Sequence, residues 1–294
     1  MTSVRFHYVD VFAARPLTGN PVTVVPDADD LQLDEMKAVA REFNQSETTF
    51  VLRPTVPDAA WQLRSFTPIG EEVYGAGHNA LGTWVLLAAS GRLGGAVGKF
   101  VQEIGPDLLP LEIEDDGGRT LVTMDQSAPE VGGTVADRPE LAASLGLALE
   151  DLADSPALVM STGAGHLLVE LRDRANVDRC APASERLAAV LRAVGGEGCY
   201  VYSRDPVEPA HSVAYARFFN PTVGIAEDPA TGTAAGPLVA RLAREGVVTD
   251  GGNVGVEQGY RLGRPSRLEV SVAGDQVRLR GTGLVVGEGT LRVR

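Results

Sequence analysis

The sequence states one motif twice, about half the chain apart. Arg64-Ser65-Phe66-Thr67-Pro68 precedes a glycine turn, Gly75-Ala76-Gly77-His78-Asn79-Ala80, and then an apolar run from Leu81 to Ala89. Arg217-Phe218-Phe219-Asn220-Pro221 precedes Asp228-Pro229-Ala230-Thr231-Gly232-Thr233-Ala234-Ala235, and then a second apolar run from Gly236 to Ala243. Two similar halves build two similar lobes, and a cleft between lobes is a usual place for chemistry. The copies differ in their ionisable residues: His78 in the first, Asp228 in the second.

A chain of 294 residues has ample core for two lobes. Its 26 Lys and Arg against 39 Asp and Glu leave a formal net charge of −13. So acidic a surface disfavours nucleic acid and anionic membrane as partners. Cys180 and Cys199 have no metal-ligand spacing and read as buried thiols of a reducing compartment. The start, Met1 to His7, reads as a strand rather than a signal peptide, and no stretch has transmembrane length, so a cytoplasmic location is expected.

Strands are expected over 4–11, 22–25, 47–52, 60–65, 99–104, 109–114 and 120–124, with helices over 34–43 and 81–89. The second half repeats this plan. Its helices are 141–145, 184–194 and 234–244. Its strands are 157–161, 166–172, 199–203, 213–219, 254–257, 266–272, 276–281 and 284–294. The polar, Gly- and Pro-bearing segment from Asp125 to Pro139 is taken as the boundary. That gives an N-terminal lobe of 1–127, completed by the strand 284–294, and a C-terminal lobe of 128–283. The class is α+β: two pseudo-symmetric lobes, each a mainly antiparallel curled sheet around a central helix.

A helix that opens at a glycine turn presents unpaired N–H groups and the positive end of its dipole, which suits a carboxylate. The plainer reading is that Gly77 and Gly232 permit close packing. Glu47 heads a strand in Ser46-Glu47-Thr48. In a water-poor cleft such a carboxyl serves as general acid and base; otherwise it is a solvated surface group. Asp228 is either a site carboxylate or a helix N-cap or turn residue, and His78 at a helix start can exchange a proton. Gly75-x-Gly77-x-x-Ala80 is a poor dinucleotide fingerprint, because no βαβ unit surrounds it. Ala76 and Thr233 stand near the two turns where a two-thiol racemase needs cysteines. His7, His78, His166 and His211 lack ligand spacing, so no metal is expected. Gly163-Ala164-Gly165-His166 echoes the first turn but falls off the repeat and reads as an ordinary turn before a strand.

Asp10-Val11-Phe12, Gly19-Asn20-Pro21, Asn44-x-Ser46-Glu47-Thr48-x-Phe50, Arg64-x-Phe66-Thr67-Pro68, Gly77-His78 and Glu227-Asp228-Pro229-Ala230-Thr231-Gly232 occur in that order. Together they resemble the phenazine-biosynthesis PhzF-like isomerase family. The resemblance implies a diaminopimelate-epimerase-like fold, a homodimer, no cofactor and a site between lobes. It implies proton transfer on a small unsaturated carboxylic acid, with double-bond isomerisation as the outcome and a secondary-metabolite or antibiotic pathway as the setting. An amino-acid-like epimerase and an inactive binding protein of the same fold are the alternatives. By the same resemblance Glu47 is the general acid/base, and His78 and Asp228 assist. Gly77, Gly232, Thr233, Asn20 and Asn79 line the substrate site. Thr233 stands where the family often has Ser. Asn79-Ala80 departs from the family's Ala-Thr, which places this chain's substrate preference at the first turn.

Overall fold

A computed structural model describes residues 3–293. Met1, Thr2 and Arg294, which fall at the ends of the expected first and last strands, lie outside the described residues. The chain divides into two compact units: one from the N-terminus to Asp125 plus the segment from Arg280 on, the other Gln126–Leu279.

The first unit contains β1 (Ser3–Val11), β2 (Asn20–Val25), α1 (Leu33–Phe43), β3 (Thr48–Leu52), β4 (Trp61–Phe66), β5 (Glu72–Val73), α2 (His78–Ala89), β6 (Gly98–Ile104), β7 (Asp107–Asp116) and β8 (Arg119–Gln126). The last strand of the chain, Gly283–Arg292, pairs antiparallel with β1. β1 and β2 are antiparallel, β2 and β3 parallel, β3 and β4 antiparallel, β4 and β6 parallel, and β6, β7 and β8 antiparallel. The short β5 folds back on β4.

The second unit repeats these pairings. It contains β9 (Glu130–Thr134), α3 (Arg138–Ser144), β10 (Leu158–Ser161), β11 (Gly165–Glu170), α4 (Arg174–Arg179), α5 (Ser184–Val194), β12 (Gly198–Ser203), β13 (Ser212–Asn220), β14 (Ile225–Asp228), α6 (Gly232–Arg244), β15 (Asn253–Gln258), β16 (Ser266–Ala273) and β17 (Gln276–Gly281), which runs across the division. β9 and β10 are antiparallel, as are β10 and β11; β11 and β12 are parallel. β12 and β13 are antiparallel, β13 and β15 parallel, and β15 and β16 antiparallel, while β14 folds back on β13. α2 and α6 therefore hold the same topological place.

The central strands of each unit, β2 and β3 in the first and β12 and β13 in the second, are buried on both faces, and alternation decides which residues meet which layer. Strand side chains alternate between faces. In the first unit Phe50 and Phe66 point to the amphipathic α1, where Met36, Val39 and Ala40 meet them. In the second, Val201, Tyr215 and Phe219 join Leu141, Val177, Leu187 and Leu191 of α3 to α5. The opposite face of each sheet holds the central helix. α2 is buried from His78 to Leu87, and α6 is buried along almost its whole length. A helix that is apolar all round needs such enclosure. Gly82 sets how closely α2 sits on the sheet: a Cβ there would fall 2.5 Å from Val22 Cγ1 and 2.7 Å from Val11 Cγ2.

Strand β9, Glu130–Thr134, lies within the segment expected to hold the boundary, Asp125 to Pro139. It lies at an exposed edge, so its side chains carry no apolar pattern to read. The short β5, β14 and α4 carry no readable periodicity, which needs longer segments to register. No described helix is long and apolar enough to cross a membrane.

The duplicated arginines explain the repeat. Arg64 on β4 donates from Nε and Nη2 to both carboxylate oxygens of Glu72 on β5, at 2.7 and 2.8 Å. Arg217 on β13 does the same to Glu227 on β14, at 2.9 and 2.8 Å. Each guanidinium also lies over the phenylalanine two residues on, Phe66 at 5.2 Å and Phe219 at 4.9 Å. A planar fork fits a carboxylate bidentately and stacks on an aromatic face at once. These pairs clamp the hairpin that delivers the chain to each glycine turn.

Candidate functional site

Glu47 is positioned by the end of α1. Asn44 caps that helix in the left-handed conformation, with φ 51°, and the chain turns directly into β3. Glu47 and Thr49 are two residues apart in extended chain, so both face the start of α2. There His78, the first residue of α2, brings Nε2 to 3.1 Å from Glu47 Oε2. The approach is poorly aligned for a hydrogen bond, and Glu47 Oε2 is buried without one. The same nitrogen lies 3.4 Å from Ser46 Oγ. The Glu47 side chain as a whole keeps 16% of its surface, so the carboxyl is sheltered but reachable. Burial, uncompensated by hydrogen bonds, pushes its pKa up to about 7.

The first glycine turn is held from within. Asn79 is buried, and its Oδ1 accepts the Gly77 N–H at 2.8 Å. Its Nδ2 donates to Ser65 Oγ and to the Gly75 carbonyl, both at 3.0 Å. Ser65 Oγ in turn lies 2.9 Å from Thr49 Oγ1. Asn79 thus ties the turn to β3 and β4, and the Gly77 amide already has a partner of its own chain. Asn20 is fully buried at the start of β2, in register with Val11, so its side chain faces protein.

In the second unit Asp228 ends β14 and is 7% exposed. The helix cap is Thr231, not Asp228. Thr231 Oγ1 donates to Asp228 Oδ2 at 2.5 Å. Gln258 on β15 fixes this arrangement: Nε2 donates to the Asp228 carbonyl at 2.7 Å and Oε1 accepts from Thr231 N at 3.1 Å. Tyr200 Oη donates to the same Oε1 at 2.9 Å. Burial first, and the Asp228 charge second, raise the Tyr200 pKa, so the phenol stays protonated and remains a donor. Gly232 opens α6, and its carbonyl accepts from Gln126 Nε2 at 3.0 Å. Thr233 Oγ1, in the first turn, lies 3.1 Å from His166 Nε2.

The structure thus places Glu47, His78, Asn79 and Gly77 at the head of α2, and Asp228, Gly232 and Thr233 at the head of α6. Ser65, Thr231, Gln258 and His166 escaped the sequence reading. For Ser65 a signal was present: it is the polar residue between Arg64 and Phe66 in the repeated motif, on the opposite face from both. Among the described residues, no three His, Cys, Asp or Glu side chains are grouped to hold a metal.

The model of the phenazine biosynthesis-like protein family matches residues 9–289. A trans-2,3-dihydro-3-hydroxyanthranilate isomerase of Pseudomonas chlororaphis is 36% identical over 301 residues, covering 97% of this chain and 99% of that one. The crystal structure of a Bacillus anthracis phenazine biosynthesis protein of the PhzF family is 30% identical, with a TM-score of 0.91, and covers 99% of this chain and 100% of its own. A hydroxyproline epimerase from Agrobacterium vitis shares the fold at 14% identity, with a TM-score of 0.68 over 99% of this chain and 91% of its own. The fold is the expected α+β, diaminopimelate-epimerase-like one. The chain belongs to the phenazine biosynthesis-like PhzF family and is an isomerase.

Proposed function

We propose that this isomerase moves a proton within a small unsaturated carboxylic acid, with Glu47 as the single acid/base and without a cofactor. The carrying observation is the sheltered Glu47 carboxyl beside His78, its Oε2 buried without a hydrogen bond and its pKa pushed up by burial to about 7. A group with that pKa holds and releases a proton about equally well near neutrality. Glu47 takes a proton from a carbon acidified by adjacent unsaturation. It returns the proton at another carbon of the conjugated system. His78 steadies the carboxyl, and Asp228, held by Thr231 and Gln258, orients a polar substituent of the substrate. The N–H groups at the heads of α2 and α6 stabilise the enolate-like charge. The activity of the Pseudomonas relatives makes trans-2,3-dihydro-3-hydroxyanthranilate the first substrate to try, in a secondary-metabolite pathway. A homodimer is part of the same reading.

Incubation with that compound in deuterated water tests the proposal. NMR is expected to show deuterium at a new carbon and a shifted double bond. Label returned to the original carbon with inverted configuration would mean an epimerase instead. Full turnover by Glu47→Gln would remove Glu47 from the mechanism.

A further inference from the structure

His166 lies outside the half-chain repeat, and no step above uses it. It sits on β11, and its ring points to the face that holds α6. The imidazole is 3% exposed and stands edge-on to Phe218, at 4.9 Å between centroids and 83° between planes. Nε2 is 3.1 Å from Thr233 Oγ1, whereas Nδ1 is buried and has no partner. Space for both rings is built into the sheet. At Gly198, opposite His166 in register, a Cβ would meet Phe218 Cζ at 2.4 Å and His166 Nδ1 at 3.3 Å.

The orphaned nitrogen decides the tautomer. Burial pushes the His166 pKa down to about 4, so the ring is neutral and carries one N–H. A buried N–H without an acceptor is the rarer and costlier orphan. The proton therefore belongs on Nε2, where Thr233 Oγ1 accepts it, and Nδ1 keeps a lone pair. With its oxygen accepting, the Thr233 hydroxyl has its own hydrogen left to donate, and bonds in series polarise one another.

We infer that His166 is a positioning residue: it fixes the Thr233 hydroxyl as a hydrogen-bond donor to the carboxylate of the substrate at the head of α6. This rests on the proposed function only in taking the substrate to be a carboxylic acid; the Thr233 hydroxyl in the first turn of α6 is what places the carboxylate there.

Two measurements test it, and the first needs no turnover. Long-range 1H–15N spectra at pH 7, with the His166 signals identified by their loss in His166→Gln, should show the Nε2–H tautomer. They should also show the ring signals shifting in Thr233→Val. An Nδ1–H ring, or signals indifferent to Thr233→Val, overturns the inference. The second is affinity for anthranilate, a simple aromatic carboxylate, read by amide shifts at the head of α6. His166→Leu and Thr233→Val should each weaken it about tenfold and the double variant no further, with His166→Gln, which keeps a donor, restoring it to within about threefold. Independent, multiplying losses, or no rescue by Gln in a variant that melts like the parent, would also overturn it. If deuterium exchange fails while these outcomes hold, the proposed reaction falls and the positioning role stands.

Discussion

His78 Nε2 lies 3.1 Å from Glu47 Oε2, yet that oxygen has no well-formed hydrogen bond. The carboxyl is held beside a partner without being neutralised by it, which suits a group that must take up and give back one proton. Glu47→Gln keeps the shape and removes the titration. It is expected to lower kcat by about 10²–10⁴-fold with little change in KM. Steady-state kinetics checks this, and a retained kcat would assign the proton to another group.

Proton abstraction needs the ionised form of Glu47. With its pKa at about 7, kcat/KM should climb through that pH and level off above it. A profile already flat between pH 5 and 8 would count against the assignment.

The same shift bears on stability, with the opposite trend. The folded value lies above the ordinary value of 4.5, so between 4.5 and about 7 the unfolded chain holds fewer protons at this site than the folded one. Stability from this group is therefore fully present below pH 4.5 and lost as pH rises through about 7, by as much as about 3 kcal/mol. Glu47→Gln should be the more stable protein above pH 7, and the gap should close toward pH 4.5. Denaturant melts at pH 4.5, 6 and 8 decide it; a gap independent of pH would contradict the cause given for the shift.

Asn79 makes two hydrogen bonds inside the first glycine turn and a third to Ser65 on β4. Asn79→Ala strands the Gly77 N–H, takes the Asn79 donor from the Gly75 carbonyl and leaves Ser65 Oγ with Thr49 alone, and should cost about 1–3 kcal/mol of stability. It also releases the Gly77 amide toward the substrate side. Tighter carboxylate binding by a less stable variant is the expected pair of results. A variant as stable as the parent would show that the network matters little.

The two arginine clamps should not weigh equally. The Arg217 side chain is 8% exposed, and its Nη1 also donates to the carbonyls of Val177, Asp178 and Cys180. The Arg64 side chain keeps 28% of its surface. Removing Arg217 leaves Glu227 and three carbonyls without their partner, so Arg217→Ala should cost about 3–5 kcal/mol, while Arg64→Ala costs less. Equal losses in thermal or urea melts would refute this ranking.

The repeat made the two central helices, their glycine starts and most strands legible, because apolar periodicity and glycine punctuation are local signals. What Arg64 and Arg217 do was not legible, since their carboxylates sit on strands too short to show a pattern. Asn79 reads in sequence as a change in site lining, but its amide turns inward once β3 and β4 place Thr49 and Ser65 beside it. His166 reads in sequence as part of an ordinary turn, because its place beside Gly198 and Phe218 comes from the parallel register of β11 with β12, and register between distant strands is not written in either strand alone.

The last strand, Gly283–Arg292, pairs along the whole of β1, the first strand of the chain. The second unit is therefore an insertion within the first. During synthesis its full length, Gln126–Leu279, is available before β1 can meet its partner. The unit that carries Glu47 starts first and finishes last. A chain cut short after Leu279 would hold every residue of the proposed chemistry and still leave one edge of β1 bare, an open template for pairing with another chain.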